Sequence, residues 1–300
     1  MPGKREELVV RPLTAEDAGA VRRILQTSEY THYRFAPDEL PRLLERLPSA
    51  GVFGTSAGRL ERVIQGSLRA FLLINWAVPP SAWIGGFGLT WSEGARFAAY
   101  LDLLLPEVER QAAARGATTL YYSGNDVAGD WLRGTLEQRG FGLHSLLRSY
   151  DKLDFAIPDE GSQTVRVRPF RPEDAVALAA LEERCFEQLW RYDAAGFVEV
   201  AETYPYFVVA EDEQGIAGYQ FNAADDTTGY LVRIAVHPRA QGTGVGTRLM
   251  AEAVRYFQRH RVWRIVLNTH EDNTRAQTLY ERFGFVQVTP SGFVLSRPIT

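Results

Sequence analysis

The chain reads as two copies of one α/β unit, each a mixed sheet covered by helices. Three observations carry this reading. The run Val9-Val10-Arg11-Pro12 ahead of Glu16-Asp17 returns as Arg166-Val167-Arg168-Pro169 ahead of Glu173-Asp174. Near the far ends, Gln138-Arg139-Gly140-Phe141 is matched by Arg282-Phe283-Gly284-Phe285, the first copy having the longer middle. Between these marks, strand-like apolar runs give way to helical patterns with apolar residues at i, i+3, i+4 and i+7. Such mixed order builds layered α/β domains, and a repeat of this length sets the domain count before any single element does. The copies are expected at residues 1–155 and 164–300, with Asp151–Thr164, which holds Pro158-Asp159-Glu160-Gly161-Ser162, as the linker candidate.

In the first copy, Thr14–Gln26 and Pro37–Leu47 read as helices. Arg59–Val78 is strand-rich, beginning at Arg62, and Trp83–Trp91 is a further strand. Phe97, Leu101, Leu104, Leu105, Val108 and Ala112 mark an amphipathic helix that Gly116 ends. A strand at Thr118–Tyr122, a helix at Asp130–Arg139 and a closing segment at Leu143–Phe155 follow. In the second copy, Pro172–Cys185 and Tyr192–Thr203 read as helices. Phe207–Ala210 and Ile216–Phe221 are strands around a polar turn. A strand at Tyr230–Val236, one at Ile265–Asn268, and closing strands near Phe285–Val288 and Phe293–Arg297 complete the copy.

The most informative stretch is Gln241-Gly242-Thr243-Gly244-Val245-Gly246. It follows the Tyr230–Val236 strand and precedes a helix marked by Val245, Leu249, Met250, Ala253, Val254 and Phe257. A strand, a glycine turn and a helix aim free backbone N–H groups at an anion. A P-loop is excluded, because Thr247-Arg248 stands where Lys-Ser/Thr would follow. A dinucleotide fingerprint is excluded by Thr247 in place of its third glycine. A second segment lies downstream. Ala276, Leu279, Tyr280 and Phe283 share one helical face, Asp272 or Asn273 is a suitable N-cap, and Gly284 stops the helix.

The order Q-x-x-G-x-G after a strand, then N-x-x-A-x-x-L-Y-x-x-x-G-F, resembles the two signatures of the GCN5-related N-acetyltransferase (GNAT) family. The resemblance implies two tandem GNAT-like domains, and the pairing of a complete with a degenerate copy resembles the mycothiol synthases in architecture. The first copy is the degenerate one. It has Ser92-Glu93-Gly94-Ala95-Arg96 where the glycine loop belongs and Leu136 at the position of Tyr280.

The family resemblance implies acetyl-CoA as acyl donor. Gln241, Gly242, Thr243, Gly244, Val245, Gly246 and Thr247 would hold its diphosphate. Main-chain groups of Ile234, Ala235 and Val236 would meet its pantetheine arm, and Asn273 would contact the same arm. Tyr280 would protonate the departing thiolate. Two of these residues also have a purely structural reading, Asn273 as a helix cap and Tyr280 as a core aromatic. Arg248 or Arg275 is placed to reach a phosphate. Many relatives carry a glutamate base on the strand before the loop, or on the next one. This chain has Arg233 and Asn268 there, which leaves Glu183, Glu187, His237, His270 and Glu271 as base candidates, none of them singled out. Trp190, Tyr192, Tyr204 and Tyr206 line either an acceptor cleft or the core. The resemblance implies an amine acceptor, expected to be a primary amine of a small molecule. A protein N-terminus or lysine is the alternative acceptor, and a non-catalytic acyl-CoA-binding regulator the alternative class.

Composition bounds the rest. The 300 residues are 45% hydrophobic and 23% charged, as in globular proteins. The net charge of −4 gives no electrostatic basis for non-specific nucleic-acid binding. No apolar run reaches membrane-spanning length, and the first residues lack a signal-peptide core, so a cytoplasmic location is expected. A single cysteine, Cys185, excludes an internal disulfide and falls on an apolar helix face with Leu178 and Leu181. The histidines show no metal-ligand spacing. Arg255, Arg259, His260, Arg261 and Arg264 cluster where they complement a helix C-terminus.

Overall fold

The computed structural model describes residues 7–55, 67–204 and 206–299, which divide into two compact units. The first holds the described residues up to Gly124, Gly129–His144, and those from Phe293 onward. The second holds Asn125–Ala128 and Ser145–Gly292.

The elements of the first half are β1 (Glu7–Arg11), α1 (Ala18–Thr27), β2 (Thr31–Tyr33), α2 (Leu40–Arg46), β3 (Ser49–Thr55), β4 (Ser67–Val78), β5 (Ser81–Leu89), α3 (Phe97–Ala113), β6 (Thr119–Gly124), α4 (Arg133–Glu137) and β7 (Gly142–Lys152). Those of the second are β8 (Arg166–Pro169), α5 (Ala175–Cys185), α6 (Ala194–Thr203), β9 (Tyr206–Asp212), β10 (Gly215–Ala224), β11 (Thr228–Val236), α7 (Val245–His260), β12 (Arg264–His270), α8 (Thr274–Arg282) and β13 (Val286–Pro298).

In the first unit the strands run β1-β3-β4-β5-β6, and residues 293–298 of β13 close the order against β6. In the second they run β8-β9-β10-β11-β12, and residues 147–152 of β7 close it against β12. The last strand of each sequence copy therefore completes the sheet of the other unit. The repeat in sequence breaks at 155 and 164, whereas packing assigns these strand ends by the edge that supplies their hydrogen bonds. Each sheet is antiparallel except at one parallel pair, β5–β6 and β11–β12.

The repeated Arg-Pro motif has a physical role. Arg11 binds Asp17 through two hydrogen bonds of 2.8 Å, and Arg168 binds Asp174 at 2.7 and 2.8 Å. Each fork ties the first strand of a copy to the start of its first helix, a geometry that guanidinium and carboxylate share.

In the second unit, alternation along the strands sends side chains to two faces. Phe207, Val209, Tyr219 and Phe221 pack with Leu178, Leu181 and Phe197 of α5 and α6. Val208, Ala210 and Ala217 pack with Val245 and Leu249 of α7. Met250, Val254 and Phe257 continue the buried stripe of α7 beneath α8. Each buried Val, Leu, Met or Phe among these contributes roughly 1.5–3 kcal/mol by leaving water.

Three expectations need correction. The helix expected at Asp130–Arg139 is reduced to α4, because the Asp130 carboxylate accepts from the Leu132 and Arg133 amides (3.0 and 3.1 Å) and starts the helix later. The two closing strands are one continuous strand, β13, with no turn between them. The strand β3 has a glycine-containing sequence, Ser-Ala-Gly-Val-Phe-Gly-Thr, that gave no strand signal. The run from Arg62 lies outside the described residues up to residue 66, and its remainder is β4.

Candidate functional site

The site begins where β11 leaves β12. Their parallel ladder covers only Thr228, Gly229 and Tyr230. From Leu231 to Val236, β11 pairs with β10 alone. Among the described residues no strand pairs with its other edge there. This stretch contains Ile234, Ala235 and Val236. The Val236 carbonyl accepts from Cys185 Sγ (3.4 Å) and Gln241 Nε2 (3.2 Å). Burial pushes the Cys185 thiol up to about 11, so it remains a protonated donor rather than a nucleophile.

The chain then turns through Pro238–Ala240 into the glycine loop. Gly242 and Gly244 have φ of 82° and 87°, where a Cβ is strained. A side chain on Gly244 would also strike the Ser162 amide nitrogen at 2.9 Å. The space around Gly242 is open. Gln241, Gly242 and Thr243 are exposed, while Val245 and Thr247 are buried and anchor the start of α7. The first amides of α7 have no partner within their own helix. They carry the positive end of a sixteen-residue helix. The fit to a diphosphate rests on these features.

Two arginines of α8 reach this loop. Arg275 donates to Gln241 Oε1, and Arg282 donates to Thr247 Oγ1. Gln241 thus bridges the end of β11 and the start of α8. Arg248 pairs instead with Glu252 at 2.9 Å. Asn273 caps α8, its Oδ1 accepting from the Ala276 amide at 3.2 Å. Tyr280 lies in the core with 5% exposure, packed on Phe285 and Tyr150. Burial, and then Tyr150, hold its phenol well above the ordinary value, so it is protonated at any pH near neutral.

The strand position where relatives place a glutamate is more elaborate than the sequence suggested. Arg233 points toward α5 and donates to Glu182 and to the Trp190 carbonyl. Glu182 is fully buried and also accepts from the Tyr219 hydroxyl and the Tyr192 amide (3.1 Å). Burial pulls the Arg233 guanidinium down, but Tyr219 and Glu182 outweigh it and raise the group above its ordinary value. A carboxylate saturated in this way is a structural anion. Sequence reasoning passed over Glu182, yet a signal existed: it shares the apolar face of Leu178 and Leu181, and a lone charge there needs a partner.

Of the base candidates, Glu183, Glu187 and Glu271 are exposed. His237 Nδ1 accepts from the Arg239 amide at 3.1 Å, and burial followed by Arg239 lowers its basicity. His270 meets the Trp190 ring edge-on at 5.3 Å. The other aromatics are packed: Tyr192 on Phe197, Tyr204 on Phe221, and Tyr206 stacked on Tyr256 at 4.3 Å. In the basic cluster, Arg255 is ion-paired to Glu160 and Glu252, and Arg264 to Asp151. Among the described residues there is no group of three or more His, Cys, Asp or Glu that could hold a metal, and no helix long and apolar enough to cross a membrane.

The corresponding place in the first unit is built differently. The β5–β6 ladder stops at Ile84. Beyond it, β4 still pairs with one edge of β5, and β2 pairs with Gly86–Gly88 on the other. The edge left open in the second unit is filled here by the chain's own strand. Glu93 sits in the turn before α3, ion-paired to Arg96 at 3.3 Å. Leu136 is buried.

Comparison with known proteins bears on the fold and the family. The model of the acetyltransferase (GNAT) family matches residues 171–285. Over 151 residues the chain is 30% identical to a mycothiol acetyltransferase of an Arthrobacter species, a match covering 45% of each protein. It is 28% identical to a putative [ribosomal protein bS18]-alanine N-acetyltransferase of Bacillus subtilis, covering 39% of this chain and 78% of that one. A tandem GNAT protein from the clavulanic acid biosynthesis pathway superposes with a TM-score of 0.65 at 16% identity, covering 98% and 99% of the two chains. The match thus spans less than half the length of the mycothiol acetyltransferase. The chain has the fold of a tandem GNAT protein, and its residues 171–285 belong to the GNAT acetyltransferase family.

Proposed function

We propose that the chain is an acetyl-CoA-dependent N-acyltransferase that acetylates a primary amine of a small molecule, with its site in the second unit. The observation that carries this is the juxtaposition of the unpaired β11 edge at 231–236 with the glycine loop at the start of α7. An extended amide-bearing arm suits the first, and a diphosphate suits the second.

The parts act as follows. Amides from Gly242 to Thr247 hold the diphosphate, assisted by the α7 dipole. Arg275, already at Gln241, adds a mobile cation beside it. The edge of Ile234, Ala235 and Val236 aligns the pantetheine arm, which fixes the thioester carbonyl against the strand and provides donors for the developing oxyanion. Tyr280, kept protonated by burial, gives its proton to the departing thiolate. Glu182 and Arg233 hold the floor of the site rigid. The first unit, its strand edge filled by β2 and its helix start guarded by Glu93, is a degenerate GNAT domain that binds no acyl-CoA. A peptide α-amine is the second reading, supported by the likeness to the Bacillus relative.

Calorimetric titration with acetyl-CoA tests the reading. One site per chain, lost in Gly244→Glu, is the expected result. Two sites would overturn the assignment of the first unit, and no binding would overturn the function.

A further inference from the structure

We propose that Tyr150, on β7, is a positioning residue for the acid step, its hydroxyl donating to Tyr280 as that phenol loses its proton. This rests on the proposed acetyl transfer with Tyr280 as acid. Three observations lead to it.

Tyr150 is completely buried, and its hydroxyl has no hydrogen-bond partner among the described residues. A buried, unsatisfied hydroxyl costs about 1–3 kcal/mol, and phenylalanine would fill the same space without that cost. The ring of Tyr150 meets that of Tyr280 edge-on, with centroids 5.8 Å apart and planes at 62°. The surroundings are mostly apolar, with Leu231, Ile265, Leu267, Phe283 and Phe285 in the same cluster.

In that setting Tyr150 is the tyrosine of the cluster whose ring meets that of Tyr280, and its hydroxyl is unengaged among the described residues. When the thioester C–S bond breaks, the electron pair stays on sulfur and Tyr280 Oη delivers a proton to it. The charge left on Tyr280 is then met by the Tyr150 O–H, directly or through one enclosed water. The proton lost by the acceptor nitrogen on forming the amide restores the phenol, so the proton count closes. Tyr150 lies outside residues 171–285 that match the family model, on the strand that the first sequence copy lends to the second unit. The tandem arrangement would therefore supply a working part of the site as well as a sheet edge.

Tyr150→Phe in the full chain tests the proposal. The readout is release of free CoA from acetyl-CoA, with a panel of primary amines or with water as acceptor, alongside thermal unfolding. The expected outcome is a kcat lower by on the order of tenfold, an unchanged KM for acetyl-CoA, and a thermal midpoint equal to or above that of the parent. An unchanged kcat would overturn the proposal, and so would a joint fall of kcat and thermal midpoint, which marks a packing role. Tyr280→Phe run in parallel separates the failures. Full activity in that variant removes the acid assignment itself, whereas its loss with an unaffected Tyr150→Phe removes only the role of Tyr150.

Discussion

The two units open their sheets in the same place and use the opening in opposite ways. In each, a parallel pair of strands runs together briefly and then parts, after Ile84 in the first unit and after Tyr230 in the second. In the second unit, the β11 edge beyond that point is left without a strand and leads into a glycine loop. In the first, β2 lies along Gly86–Gly88, and Glu93 stands before the helix. A backbone edge is a row of donors and acceptors that must be matched. The first unit matches it with its own β2, and the second leaves it unmatched by any described strand.

The largest expected effect comes from the position that differs as Leu136 and Tyr280. Tyr280→Phe should lower kcat by about 10²–10⁴-fold at little change in KM for acetyl-CoA. Leu136→Tyr in the first unit should leave kcat unchanged. Steady-state kinetics on both variants would break the comparison if the first were silent or the second active.

Next is the buried pair under β11. Glu182→Ala leaves Arg233 without its carboxylate and should cost about 3–5 kcal/mol of stability by denaturant unfolding. Breaking the solvent-exposed pair of Arg110 with Glu107 in the first unit should change stability far less by the same measurement.

The strand-to-helix forks give a smaller contrast. Arg168 and Asp174 are 10% and 9% exposed, against 35% and 12% for Arg11 and Asp17, and Arg168 also binds Glu211. Arg168→Ala should therefore destabilise more than Arg11→Ala, by about 1–2 kcal/mol. Asp174 is held below the ordinary carboxylate range chiefly by Arg168. A depressed carboxylate stabilises the fold above its unfolded value of about 3.9 and ceases to do so as pH falls through the lower folded value. Thermal midpoints should thus drop below pH about 4, and less steeply in Arg168→Ala.

The smallest effect is an expected null. Replacing Ser92–Arg96 with a glycine loop should leave one acetyl-CoA site per chain by calorimetry, because β2 still occupies the strand edge. A second site would show that the loop alone separates the units.

The duplication, the layered class, the glycine loop and the α8 pattern were legible in the sequence because each is set by neighbours along the chain. Periodicity reports which face is buried, and Gly242 and Gly244 announce positive φ. The forks of Arg11 and Arg168 were visible as a motif, though not as a clamp. Tertiary structure decided what depends on residues distant in sequence. It gave β7 and β13 to opposite units, laid β2 in the first opening, paired Glu182 with Arg233 and brought Tyr150 against Tyr280. A strand accepts any edge with matching hydrogen bonds, and a buried charge accepts any partner within reach, so neither choice is written in local spacing. Those choices, more than the motif, separate the unit with an open strand edge from the one whose edge is filled.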